Sequence, residues 1–177
     1  GSFDTYGRHW GGPENVKVHF VIRFDKDFER LDGWRDKERY SDIDTLQGSS
    51  IITRRHPKEE LSYLDSPTSG VSAHYRVKTG DKICVRTAIS YVSVDNAREN
   101  LENDAVTWDF DLVKKTSQDE WNKWLGRIEV KGGSQKQRTK FYTDLWHVLL
   151  GRHKIDDVNG EYPDLTEGER YYSYTRN

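Results

Sequence analysis

The spacing of the apolar residues changes once along this chain, at Ser93, and this change constrains the fold more than any other feature. From residue 16 to residue 24 every second residue is apolar, which is the period of a strand with one buried face. After Ser93 the apolar residues recur three and four positions apart, which is the spacing of one helix face. The pattern therefore predicts antiparallel β-structure first and α-helices second.

Two further alternating stretches extend the β-rich part. Residues 71–77 and 83–92 alternate in the same way, and the turn sequence Thr79-Gly80-Asp81 lies between them. Residues 50–53 are a weaker strand candidate. The chain up to Ser93 is therefore predicted to be antiparallel β-structure.

Three helices are predicted after Ser93. The Ser93 hydroxyl is placed to cap a helix over residues 94–103. Gly132-Gly133 interrupts the chain, and Ser134 with Gln137 forms a capping box that starts another helix near Gln135. Between them, a helix is predicted from an apolar stripe of Phe110, Val113, Ser117, Trp121, Trp124 and Ile128. We expect this stripe to face a core, with a sugar-stacking surface as the alternative.

Composition excludes several classes of protein. The 28 basic and 30 acidic residues give a net charge of -2, so the chain lacks the basic surface that nucleic-acid binding requires. No apolar run approaches the ~18 residues of a membrane span. Cys84 is the single cysteine and cannot form an intrachain disulfide. The chain has no methionine, and the start Gly1-Ser2 is what a cleaved expression tag commonly leaves, so we expect a fragment of a longer protein.

The sequence DDVNG at residues 156–160 is the most suggestive polar segment. Its oxygen-rich turn resembles a calcium loop, but the EF-hand register would put Ile155 and Thr166 at positions that need carboxylates. A glycosidase needs two carboxylates roughly 5 to 9.5 Å apart across a sugar, and the neighbours Asp156 and Asp157 do not suit that geometry. From the residues alone, Asp157 is either a solvated turn carboxylate or an acceptor for a sugar hydroxyl.

Other catalytic and metal sites find no support in the sequence. The six histidines are scattered, and none lies in a nucleophile elbow or an HExxH segment. One cysteine and no paired histidines also leave no zinc ligand set.

Several motifs, in order, resemble glycoside hydrolase family 92, the calcium-dependent exo-acting α-mannosidases. The similar segments are VRTAISYVSVDNARENLE (residues 85–102), WDFD (108–111), EWNKWLGRIEV (120–130), KFYTDLWHVLL (140–150) and DVNGEY (157–162). The family's fold implies an antiparallel β-sandwich, then linker helices, then the start of an (α/α)6 barrel. The implied domains are residues 1–93 for part of the sandwich, 94–131 for the helical linker and 132–177 for the start of the barrel.

The resemblance also implies a function. A member of this family removes terminal α-mannose from glycans with inversion of configuration, assisted by calcium, and acts outside the cytoplasm as a secreted, periplasmic or cell-surface enzyme. The catalytic acid, the base and the calcium ligands are expected beyond this chain, so the fragment itself is expected to be inactive. Only Asp157 is implied here as a substrate-binding residue, for a mannose hydroxyl. The segment 151–154 departs from the family's usual proline-containing sequence just before this turn.

A second hypothesis is a non-catalytic carbohydrate-binding β-sandwich that uses exposed aromatic residues such as Trp10 or Trp34. Under the first hypothesis, the helix around residues 141–149 would expose an apolar face because the rest of the barrel is missing. We therefore expect self-association, or packing of that face onto the sandwich, through Phe141, Leu145 and Leu149.

Overall fold

A computed structural model describes residues 1–6, 15–48, 69–151, 155–163 and 173–175 of this chain. In chain order, the elements within these residues are β1 (Ser2–Tyr6), β2 (Asn15–Phe24), β3 (Arg30–Arg35), β4 (Glu38–Tyr40), β5 (Ser69–His74), β6 (Val85–Ser90), α1 (Val94–Asp104), α2 (Phe110–Leu125), α3 (Gln135–Leu150), β7 (Glu161–Pro163) and β8 (Ser173–Thr175). The chain divides into two compact units, residues 1–23 with 86–177 and residues 24–85.

The first unit combines a three-stranded sheet, the three helices and the hairpin of β7 and β8. The sheet has the order β1-β2-β6, and β1 pairs antiparallel to β2 with Ser2 opposite His19. Val18 of β2 is buried, as are Ala97 and Leu101 of α1, which are 0% and 1% exposed. An ion pair of 2.8 Å between Arg23 and Glu102 also joins β2 to α1. The spacing of four residues between Ala97 and Leu101 gives α1 the buried face that the sequence predicted.

Both predicted helix caps are confirmed. The Ser93 hydroxyl accepts a hydrogen bond of 3.0 Å from the backbone N–H of Asn96 at the start of α1. At the start of α3, the Ser134 hydroxyl accepts from the Gln137 N–H at 3.3 Å, and the Gln137 side chain accepts from the Ser134 N–H at 2.8 Å. These bonds satisfy backbone donors that a helix start leaves without an intrahelical partner.

The expectation that the α2 stripe faces a core is wrong for the described residues. None of the residues of α2 is buried, and Phe110 is 71% exposed. The stripe meets α3 at one aromatic contact, where the rings of Trp121 and Trp146 lie 6.1 Å apart. Periodicity correctly predicts an amphipathic helix, but it does not say whether another element covers the apolar face.

The second unit contains a three-stranded antiparallel sheet of order β4-β3-β5. Trp34 of β3 is half-buried and packs on Gly70 of β5, where an added Cβ would lie 2.8 Å from the indole Nε1. Asp32 joins the sheet to the next loop, because its carboxylate accepts from Ser41 Oγ at 2.9 Å and from the Asp42 N–H at 3.1 Å. The Asp42 N–H is the main cause that lowers the pKa of Asp32 below its usual value.

The antiparallel strands and the three helices agree with the predicted order of β-structure followed by helices. The strand candidate at 50–53 and the proposed sugar-binding Trp10 lie outside the described residues. The sandwich, the barrel and the domain boundaries at residues 93 and 131 stay predictions. None of the helices in the described ranges is long and apolar enough to cross a membrane.

Candidate functional site

The DVNG segment forms a tight turn after α3. The Asp157 carbonyl accepts from the Gly160 N–H at 2.9 Å, and the Asp157 N–H donates to the Glu161 carbonyl at 2.8 Å. Gly160 has φ of 84°, a conformation that glycine adopts without steric cost. An aspartate at the first position and a glycine at the fourth are typical of a β-turn.

The Asp157 side chain is buried, at 5% exposure, although it belongs to a polar turn. Its Oδ2 accepts from the Ser90 hydroxyl at 2.7 Å and from Asn96 Nδ2 at 2.8 Å, and its Oδ1 accepts from Asn100 Nδ2 at 2.7 Å. We call Asp157 and these three donors the carboxylate clamp. The clamp satisfies a buried charged group with charge-assisted hydrogen bonds, which burial of a carboxylate requires.

Two elements of the first unit place the donors of the clamp. Ser90 ends β6, and Asn96 and Asn100 lie four residues apart on α1, so their side chains project from one side of the helix. The cap at Ser93 fixes where α1 begins and therefore where both amides lie. The strand end and the first two turns of α1 thus face the turn after α3.

The second partners of the two amides fix their orientation. Asn96 Nδ2 also donates to Glu161 Oε2 at 2.7 Å. Asn100 Nδ2 also donates to the Ile89 carbonyl at 2.9 Å, and its Oδ1 accepts from the Val158 N–H at 2.9 Å. Because an amide group has two N–H donors, both amides use their full donor capacity here.

Asn159 is held at the tip of the same turn. Its Nδ2 donates to Glu99 Oε2 at 3.2 Å, and its Oδ1 accepts from the Glu161 N–H at 3.0 Å. Asn159 itself is exposed, so solvent reaches it while these two bonds hold it.

This arrangement is suited to holding a turn and is not suited to binding a metal. Each of the three clamp donors points a hydrogen at Asp157, and a cation would have to displace these donors. Within the described parts of the chain, no group of three or more His, Cys, Asp or Glu side chains could hold a metal ion. The calcium that the family resemblance implies stays a prediction.

Asp157 thus lies where β6, α1 and the turn meet, and its predicted contact with a mannose hydroxyl stays a prediction. A carboxylate has about four acceptor positions, and the clamp uses three of them. A solvated turn carboxylate was one of the two interpretations from the residues alone, and for Asp157 it is wrong, because the side chain is buried while Val158 and Asn159 remain exposed.

His19 of β2 is a titratable group on which the charge of Asp157 acts. Its pKa is lowered, chiefly by burial and then by the positive charges of Lys17 and the amino terminus, while the negative charge of Asp4 and, to a lesser degree, that of Asp157 oppose this in part. Its Nδ1 is buried and has no hydrogen-bond partner among the described residues. Of the other histidines, His9, His56 and His153 lie outside those residues.

The sugar-stacking alternative for α2 is weakened by the surroundings of its tryptophans. The Arg127 guanidinium lies 3.9 Å from the centre of the Trp124 ring, and Trp124 Nε1 donates to Glu120 at 2.7 Å. This hydrogen bond is also the main cause that lowers the pKa of Glu120. Trp121 is in T-shaped contact with Trp146, and the Arg127 guanidinium covers one face of Trp124.

Sequence reasoning missed Ser90, Asn96 and Asn100. The available signal was the pair of asparagines four residues apart, each immediately before a buried residue of α1, Ala97 or Leu101. The structure joins two of the motifs that carried the family resemblance, residues 85–102 and residues 157–162. Their joining residues lie 57 to 67 positions apart in sequence.

Comparison with known proteins gives a consistent result. Residues 96–177 match the model of the glycosyl hydrolase family 92 catalytic domain. An uncharacterized secreted glycosidase of Arthroderma benhamiae is 27% identical over 96 residues, which are 51% of this chain and 12% of that protein.

Two solved structures from Bacteroides thetaiotaomicron share the fold. A family GH92 inverting mannosidase superposes with a TM-score of 0.74 at 20% identity, over 97% of this chain and 22% of that one. A family GH92 alpha-mannosidase superposes with a TM-score of 0.66 at 22% identity, over 94% of this chain and 20% of that one. This chain therefore spans about a fifth of the length of these solved relatives and about an eighth of the curated one. The match of residues 96–177 to the catalytic-domain model, together with the shared fold, supports the assignment of this part of the chain to glycosyl hydrolase family 92.

Proposed function

We propose that this chain is part of an α-mannosidase-like glycoside hydrolase that removes terminal α-mannose from glycans. The observation that carries the proposal is the carboxylate clamp, because it joins the start of the matched catalytic-domain residues to a turn in their last third, in one local structure. Asn96 and Asn100 lie on one side of this junction and Asp157 on the other. The match to the family model and the shared fold support the assignment to glycosidases, and the mannose specificity is our extension from the solved relatives.

The proposed reaction inverts the configuration of the sugar, by extension from the solved relative that is named an inverting mannosidase. Inversion requires a carboxylic acid that protonates the leaving oxygen and a carboxylate that activates water, roughly 6.5 to 9.5 Å apart. The clamp commits Asp157 to three donors, so it is not available as either group. We place both catalytic carboxylates outside this chain and expect the chain alone to be inactive.

Within that enzyme, we propose that this chain forms one side of the substrate-binding site. A similar solved structure, a family GH92 alpha-mannosidase from Bacteroides thetaiotaomicron, contains bound mannoimidazole. For the present chain, Asp157 is the predicted contact to a mannose hydroxyl, and its remaining acceptor position on Oδ1 is the one such a hydroxyl would use.

Calcium stays a prediction for the whole enzyme. By extension from the family resemblance, we expect its ligands elsewhere in the parent protein, and no step of the reaction is assigned to it here. Secretion or display at the cell surface is likewise proposed, by extension from the relative that is named a secreted glycosidase.

Self-association of the isolated chain is also proposed. In α3, Val148 is 68% exposed and Trp146 is 37% exposed, beside the half-buried Phe141, Leu145 and Leu149. An exposed apolar face of this kind is stabilised by contact with another apolar surface. Sedimentation velocity over a range of concentrations tests this proposal, and a monomer at every concentration would contradict it.

The test of the function is an assay of the parent protein that contains this chain. Release of the aryl group from an aryl α-mannoside is expected, with aryl α-glucoside and aryl β-mannoside as comparison substrates. Proton NMR of the first-formed sugar should show β-mannose if the reaction inverts. First-formed α-mannose would contradict inversion, and preference for the glucoside would contradict the assigned substrate.

The same assay on the isolated chain separates the competing hypotheses. No turnover and no binding of methyl α-mannoside are expected. Turnover by the chain alone would show that its own carboxylates suffice, and binding without turnover would favour a carbohydrate-binding module.

A further inference from the structure

The exposed tip of the turn that the clamp holds contains a chemically reactive dipeptide, Asn159-Gly160. Asn159-Gly160 is the only place in the sequence where glycine follows asparagine. In a flexible chain, the glycine backbone nitrogen attacks the asparagine side-chain carbonyl, because glycine has no side chain to hinder the approach. The product is a cyclic succinimide.

The atoms of this reaction balance with water as the only co-reactant. A bond forms between the Gly160 nitrogen and Asn159 Cγ, the bond from Cγ to the side-chain nitrogen breaks, and the Gly160 proton leaves with that nitrogen as ammonia. Water then opens the ring at either carbonyl and leaves aspartate or isoaspartate at position 159.

Three hydrogen bonds oppose the attack in the folded chain. The Gly160 N–H, which must be free to react, donates to the Asp157 carbonyl at 2.9 Å. The Asn159 side chain is held from both ends, by Glu99 at 3.2 Å and by the Glu161 N–H at 3.0 Å. Attack therefore requires the turn to open locally, and the population of the opened turn sets the rate.

The clamp controls that opening. Asp157 supplies the carbonyl that binds the Gly160 N–H, and its buried carboxylate is fixed by Ser90, Asn96 and Asn100. Asn100 also accepts from the Val158 N–H at 2.9 Å, inside the turn itself. Both ends of the turn are thus tied to β6 and α1.

We propose that Asn159 is a latent site of deamidation, and that the carboxylate clamp suppresses its conversion to aspartate and isoaspartate. The positioning residues in this proposal are Asp157 and Asn100, which act through the backbone of the turn. The proposal does not depend on the mannosidase assignment, since it concerns the folded chain alone.

The test compares rates of deamidation at Asn159 by peptide mapping and isoaspartate detection, at mildly alkaline pH. The native 177-residue chain is expected to react at least about tenfold more slowly than the same chain denatured in urea, because local structure limits exposure of the reactive amide. Asn100→Ala, which removes the bonds to Asp157 and Val158, should recover most of the denatured rate while the chain stays folded.

A matched control is Asn103→Ala on the same helix. The Asn103 side chain donates to the Glu99 carbonyl at 2.9 Å and makes no contact with the clamp. The rate of deamidation at Asn159 in the Asn103→Ala variant should equal the rate in the native chain. Circular dichroism of each variant checks that the helices remain. If Asn100→Ala unfolds, Ser90→Ala, which removes one donor of the clamp, is used in its place.

Two results would overturn the proposal. One is a native chain that deamidates at Asn159 as fast as the denatured chain. The other is a folded clamp variant whose rate at Asn159 equals that of the native chain and of Asn103→Ala.

Discussion

Replacement of Asp157 by alanine should be among the most destabilising single changes in the first unit. The change removes the acceptor of three hydrogen bonds at once, from Ser90, Asn96 and Asn100. A hydrogen bond to a charged group contributes about 1.5–3 kcal/mol, but these three share one carboxylate, so their sum is an upper bound.

The second partners of the donors reduce the expected cost. Asn96 keeps Glu161 and Asn100 keeps the Ile89 carbonyl, so each amide loses one of its two bonds. We therefore expect a loss of about 3–5 kcal/mol in the free energy of unfolding, which is below the sum of the three bonds because the neutral donors left behind keep part of their hydrogen bonding. That is a large part of the ~5–15 kcal/mol that stabilises a typical domain.

Urea denaturation followed by circular dichroism measures this loss. Asp95→Ala is the matched control, because Asp95 is a carboxylate of α1, the helix that carries Asn96 and Asn100, whose side chain is 89% exposed and pairs only with Arg98 among the described contacts. Its cost should stay below about 1 kcal/mol. A cost for Asp157→Ala within about 1 kcal/mol of this control, at an unchanged m-value, would refute the view that the clamp stabilises the fold.

Three further predictions concern other parts of the first unit. Leu101→Ala should cost about 2–5 kcal/mol in the same assay, since Leu101 is 1% exposed and leaves a cavity, and a cost near zero would contradict its place in the core. Ser134→Ala should cost about 1 kcal/mol by removing the cap of α3, with Ser134→Asp as the variant that retains it; equal losses for both would argue against capping. Burial lowers the pKa of His19, so the folded state favours the neutral ring, and stability should be full above the unfolded value of about 6.5 and fall as pH decreases below it. His19→Gln should reduce this fall in urea midpoints measured at about pH 7.5 and about pH 5.5, and an unchanged pH dependence would contradict the assignment.

The parts of the fold that sequence predicted are those set by neighbouring residues. Strand alternation, the Ser93 cap and the capping box at Ser134 depend on residues within about ten positions of one another, and local sequence specifies them directly. The expectation that the apolar face of α2 packs on a core was wrong because it did not depend on neighbouring residues alone. An apolar stripe reveals that a helix has a face to bury, but what lies against that face depends on distant parts of the chain.

In the candidate site, too, the features set by neighbouring residues were predictable and those set by distant residues were not. The turn at residues 157–160 was predictable from its aspartate and glycine. Its burial was not, because the donors from Ser90, Asn96 and Asn100 come from 57 to 67 residues earlier, and no local pattern pairs such positions. The family resemblance named both motifs without indicating that they bond to each other.

The separation between the two sides of the clamp has a consequence for the order of folding. Closing a loop of 67 residues costs chain entropy on the order of 4 kcal/mol, and no single hydrogen bond of the clamp repays it. Helices α2 and α3 lie within this loop and depend on local contacts, so they can form first and shorten the free chain. The clamp should then close after the rate-limiting step of folding. In kinetic terms, loss of Asp157 should accelerate unfolding and leave the folding rate nearly unchanged.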